Sequence, residues 1–228
     1  MIVIKNEGLK KALKILVPFV IIPLLAVIGS TAMAEKRHFI ISFCAALFSL
    51  FLFAAGFENK NVGSRRMVIA AVMIALCVVG RFIPFFKPVT AVTVVAAVYL
   101  GKETGFLVGS LSALISNFYF GHGPWTPFQM LAWGLIGLIA GYLSAPLKKH
   151  RALLLIYGVI GGVIYSLVMD VWSVMWYDGG FNLSLYAASV LTAVPYTVLY
   201  SVSNFIFLFF LGKPFGDKLE RIRIKYGL

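Results

Sequence analysis

The chain has 228 residues, 61% of them hydrophobic and only 12% charged, with a net charge of +12. Soluble domains run at about half apolar and about a quarter charged, so a soluble fold is excluded. Apolar runs of about 20 residues recur along the length, which suits an all-α polytopic membrane protein and not a β-barrel built from alternating segments of about ten residues.

Spans are predicted over about 12–30, 38–56, 66–84, 89–100, 104–119, 127–146, 152–176 and 187–211. The first two form an N-terminal pair within residues 1–65. Ala32-Met33-Ala34 before Glu35 imitates a secretory cleavage site, and losing that segment would leave the downstream orientation unchanged. Cys44 and Cys77 fall inside spans and read as small buried apolar residues.

The third span carries Ala71 and Ala75, four residues apart, a spacing that lets helices in lipid approach closely. Behind it comes Arg81-Phe82-Ile83-Pro84-Phe85-Phe86-Lys87-Pro88, a rigid, aromatic and basic loop. The next two spans are short, and Gly101-Lys102-Glu103 between them predicts a hairpin packed inside the bundle.

The segment from Phe118 to Met130 interrupts the apolar sequence with turn formers, aromatics and polar side chains. Thr126 suits an N-cap, Pro127 the first helical position, and Gln129 a capping-box partner, so the cluster is expected against a rigid helix end. Gly137 with Gly141, and Gly158 with Gly161 and Gly162, mark close-approach faces assigned to packing within the chain.

Asp170 is an acidic residue well inside a span, so it is expected to face protein or a water-filled cavity. Ligand contact and structural hydrogen bonding are equal readings for it. Trp172, Trp176, Tyr177, Asp178 and Asn182 follow at the end of that span. The three loop segments combine aromatics with hydrogen-bonding groups, which suits a mostly apolar pocket with a few orienting polar contacts.

The basic residues lie between the apolar runs, where they orient a membrane protein, and this argues against nucleic acid. With the N-terminus inside, sixteen Lys and Arg are cytoplasmic and four outside, so both termini are predicted cytoplasmic. The basic tail over 213–228 suits the inner membrane surface beside anionic lipid or a plain orientation signal. No Walker-type loop, HExxH or nucleophile elbow occurs, so the chain does not read as an enzyme. His38, His122 and His150 are scattered, which argues against a metal site.

Gly80-Arg81-Phe82-Ile83-Pro84, Phe86-Lys87-Pro88-Val89 and Gly105 through Asn117 and Phe118, running on through Gly121–Trp133, carry a resemblance. They are similar to the substrate-binding S-components of energy-coupling factor (ECF) transporters, most of all the cobalamin type. The ending Lys218–Leu228 looks similar too. The resemblance covers about residues 66–228, and residues 1–65 are an addition to the six-helix core it implies over 66–212. It implies a multi-pass subunit of a bacterial cell membrane that captures a vitamin, cobalamin or cobinamide, outside. The subunit would deliver it by toppling against a transmembrane T-component driven by two cytosolic ATPases. No cofactor is implied, cobalamin being the cargo.

Ala71 and Ala75 match the family's Ala-x-x-x-Ala pattern for T-component contact. Arg81, Phe85, Lys87, Asn117, Tyr119, His122, Trp125, Gln129, Asp170, Trp176 and Asp178 are the candidate substrate-binding residues. His122 stands where close relatives are expected to carry Gln, which adds a titratable group. The alternatives are an S-component for another vitamin or small metabolite, or an ion-coupled secondary transporter relying on Asp170.

Overall fold

The computed structural model describes residue 48, residues 63–178 and residues 182–226. The predicted pair over 12–30 and 38–56 lies outside the described residues, as do Cys44 and the segment around Ala34. Phe48 is the exception, and it packs against the core.

Among the described residues there are seven helices and no strand. They are α1 (Gly63–Gly80), α2 (Val89–Leu100), α3 (Lys102–Phe120), α4 (Thr126–Tyr142), α5 (Ser144–Lys149), α6 (Arg151–Asp178) and α7 (Leu183–Tyr226). By length and composition α6 and α7 can each cross a bilayer. The chain alternates between two ends of the bundle. One end carries the loop after Arg81, and the other carries α5 with Lys148.

The third predicted span ends four residues earlier than expected, because α1 stops at Gly80 and residues 81–88 form a loop. Phe85 in that loop has φ 64°, the left-handed region in which a bulky residue is uncommon. The span over 127–146 is broken too. Its helix ends at Tyr142, and Ser144–Lys149 form a separate short helix. The last helix is longer than expected and runs through Pro195 and Pro214 to Tyr226, so the basic residues after 212 continue α7.

The short helix α2 is the centre of the fold. Ten of its twelve residues are buried, and it touches every other described helix. Its Val, Ala and Thr side chains are small enough to be surrounded on all sides. Gly101, at φ 103°, joins it to α3 in a single residue, a turn that an L side chain rarely adopts. The hairpin is thus observed, but only α2 is short: α3, at 19 residues, is longer than the span expected over 104–119.

Small residues then bring α3 against α4. A Cβ on Gly137 would meet the Gly105 carbonyl, and one on Gly109 would meet the backbone at Trp133. On the far side Gly158 receives Leu208, and Gly162 lies against the Ser201 backbone. Lipid supplies no hydrophobic drive for helix association, so such close van der Waals contact holds the bundle.

Candidate functional site

Where the loop after α1 meets α3, α4 and α6, a chain of polar side chains crosses the bundle. Arg81 is buried, and its Nη1 donates to Ser116 Oγ and, at 2.8 Å, to Asn117 Oδ1. The Asn117 amide donates onward to Thr126 Oγ1 at 3.0 Å and to Gln129 Oε1 at 2.9 Å. Gln129 Nε2 in turn donates to the Tyr165 hydroxyl at 3.2 Å. The bonds join the loop to α3, α3 to α4 and α4 to α6, so the network sets the relative position of four segments. In a low-dielectric surrounding each of these groups is costly without its partner.

Aromatic rings enclose the network. Tyr165 stacks on Trp133 with centroids 4.8 Å apart, and Tyr200 of α7 meets Tyr165 edge-on at 5.2 Å. The Arg81 guanidinium carbon lies 4.7 Å from the Phe120 centroid and 5.4 Å from that of Trp133. Above it Phe82 contacts both Tyr119, at 4.6 Å, and Phe120, at 5.0 Å. This rim is open: Tyr119 is 72% exposed and Phe82 48%.

The expected helix start differs in detail. Thr126 is the first helical residue of α4, and no side chain caps that end. The Thr126 hydroxyl accepts from the Gly123 amide and from Asn117, and Gln129 is engaged by Asn117 instead of reaching back. Asn117 competes successfully because α3 and α4 are already held together by their glycines. The cluster is still fixed to a rigid helix end, but by tertiary bonds.

Of the candidates, Arg81, Asn117 and Gln129 come together in the network, Tyr119 and Lys87 reach its rim through Phe120, and Phe85 is exposed in the loop that follows Arg81. The His122 ring meets Phe118 edge-on at 4.7 Å. Trp125 packs on Trp172 at 5.7 Å and so ties the start of α4 to α6. Trp176 and Asp178 are exposed near the end of α6. Asn182 accepts from the Ser184 and Leu185 amides, the pattern of an N-cap on α7.

Asp170 is buried on α6, and its Oδ1 accepts from Ser189 of α7 at 2.9 Å. Its Oδ2 has no hydrogen-bond partner. Nearby, Ser173, Tyr177, Leu185, Ser189 and Thr192 line an open groove of about 470 Å³. Sequence reasoning missed Ser116, Phe120, Trp133, Tyr165 and Tyr200. The signal for Tyr165 was present, as a hydroxyl inside an apolar span three residues after a glycine pair.

On α1, Ala71 and Ala75 are exposed in a stripe with Val68, Val72 and Val79. The stripe is apolar throughout, and the opposite face, with Ala70, Met73 and Cys77, is buried.

Residues 61–221 match the family described as ECF-type riboflavin transporter, S component. A UPF0397 protein of Aliivibrio salmonicida is 28% identical over 150 residues, covering 62% of this chain and 79% of the relative. One from Vibrio atlanticus is 24% identical over 165 residues, covering 64% and 82%. One from Aliivibrio fischeri strain MJ11 is 26% identical over 152 residues, covering 61% and 78%. No solved structure matches the chain.

Proposed function

The chain belongs to the S-component family of ECF-type transporters, and from that premise we propose that it captures a vitamin at the Arg81 end of its bundle. The family is one of substrate-binding transporter subunits, so chemistry on the cargo is not expected. The carrying observation is the polar chain from Arg81 through Asn117 and Gln129 to Tyr165, lying directly beneath open aromatic rings. Rings offer a flat solute a stacking surface, and a fixed network offers orienting hydrogen bonds.

The Arg81 end faces outward, both termini are cytoplasmic, and the described helices form a six-span core with α5 as a surface helix. The exposed apolar stripe of α1 around Ala71 and Ala75 is the face for the T-component, with ATP hydrolysis on two separate cytosolic subunits. The N-terminal pair is an addition to that core.

Cobalamin or cobinamide is the proposed vitamin, supported by the resemblance carried by residues 80–133. A second reading is riboflavin, the vitamin in the description of the matching family. Equilibrium titration of the purified chain in detergent with cobalamin, cobinamide and riboflavin separates them. Saturable binding of either corrinoid supports the first reading, and saturable binding of riboflavin alone replaces it. Uphill accumulation by vesicles holding this chain without ATPases would reject the whole scheme.

A further inference from the structure

The positive charge of Arg81 is unmatched. The residue is only 8% exposed, yet its hydrogen bonds go to a hydroxyl and an amide, and none of the ion pairs among the described residues involves it. Its Nε–H is buried without an acceptor. Lys87 brings a second cation to the same place, with Nζ 6.0 Å from the Phe120 centroid that Arg81 approaches to 4.7 Å. Ring faces offset part of the cost of a buried cation, but they do nothing for the repulsion between two cations. A buried guanidinium is otherwise stabilised by a carboxylate or phosphate that its planar fork fits.

We propose that Arg81 and Lys87 form an anion-binding subsite, taking a phosphate or carboxylate of the captured solute while the exposed rings take its apolar body. The inference rests on the reading of the chain as a solute-capturing subunit and narrows the solute to one bearing an anionic group. A lipid headgroup phosphate offers the same chemistry, and the test distinguishes the two sources.

Two matched pairs supply the probes: cobalamin against cobinamide, which lacks the nucleotide phosphodiester, and flavin mononucleotide against riboflavin. Each is titrated into the purified full chain in detergent. The phosphate-bearing member of a binding pair is expected to bind at least about tenfold more tightly, the lower range for hydrogen bonds to a charged group. Arg81→Gln and Lys87→Gln are each expected to erase that preference, weakening the phosphate-bearing member at least about tenfold more than the uncharged one. Lys87 is half-buried, so its variant folds even where loss of Arg81 does not. Equal weakening of both members by Arg81→Gln, with no effect of Lys87→Gln, overturns the subsite.

If none of the four solutes binds, the capture of these vitamins fails while the subsite is still judged by inorganic phosphate. Saturable broadening of its phosphorus resonance, lost in Lys87→Gln, upholds the subsite, and no broadening overturns it. Displacement of that phosphate by near-stoichiometric phosphatidylglycerol assigns the anion to lipid and overturns the role in solute capture.

Discussion

Asn117 of α3 donates to Gln129 of α4 at 2.9 Å, and its own carbonyl oxygen is taken up by Arg81 at 2.8 Å. One amide thus serves a cation on one side and two acceptors on the other. Its orientation follows, because the oxygen must face the guanidinium and the nitrogen must face Thr126 and Gln129.

Asn117→Ala removes all three bonds at once in a buried place. It is expected to lower stability by about 1–3 kcal/mol, the cost of leaving buried partners unsatisfied. Thermal unfolding in detergent checks this. Tyr165→Phe is the milder companion: it removes the acceptor for Gln129 but keeps the stacking on Trp133, so its loss is expected near about 1 kcal/mol. A larger loss for Tyr165→Phe than for Asn117→Ala would contradict the network described.

Gly137→Ala tests the contact between α3 and α4. The new methyl would meet the Gly105 carbonyl and lie 2.8 Å from Thr93 Cγ2, and backbone cannot yield as a flexible side chain does. A destabilisation of about 1–3 kcal/mol is expected, with a lower unfolding temperature as readout. An unchanged unfolding temperature would mean that the helices are not held this close.

Ala71→Trp with Ala75→Trp lies on the exposed stripe of α1. Surface changes of this kind stay within about 0.5 kcal/mol, so unfolding temperature and solute binding are expected to hold. Uptake by cells that also make the T-component and ATPases is expected to fall to background. Loss of binding by the isolated chain would assign these residues a structural role.

At the other end of the bundle, Lys148 of α5 donates to Glu220 of α7 at 2.8 Å, beyond the apolar part of that helix. The hydrogen bond from Lys148, with its charge and that of Arg223, holds the Glu220 carboxyl below its usual range. A carboxylate depressed in the folded state stabilises above its unfolded pKa of about 4.3, and that contribution is lost as pH falls through the folded value. Both side chains are about a third exposed, so the contribution is at most about 1 kcal/mol. Lys148→Met is expected to lower stability at pH 7 and to match the parent chain at pH 3. A deficit of equal size at both pH values would point to packing of Lys148 over the Tyr99 ring, 4.7 Å away, as the source.

Membrane class, helix content and the tight turn between α2 and α3 were legible in the sequence, because each depends on local quantities. Apolar run length reports the solvent, and Gly101 reports the turn. The same is true of the residue types in the segment from Phe118 to Gln129, whose polar groups stand out in an apolar chain. Their partners were not legible. Thr126 and Gln129 have a local option as a helix cap, and a sequence shows local options first. The distant competitor, Asn117, wins because the glycines of α3 and α4 bring the two backbones into contact. Tyr165 reaches Gln129 from 36 positions away.

The sequence by itself determined that the chain is helical, lives in lipid and carries a polar-aromatic cluster at one end, since composition and spacing are properties of neighbours along the chain. Only the tertiary structure decided that Arg81, Asn117, Gln129 and Tyr165 form one network while Trp176 and Asp178 stand exposed near the end of α6. Hydrogen bonds act over about 3 Å, and which groups come that close depends on how four separate segments pack.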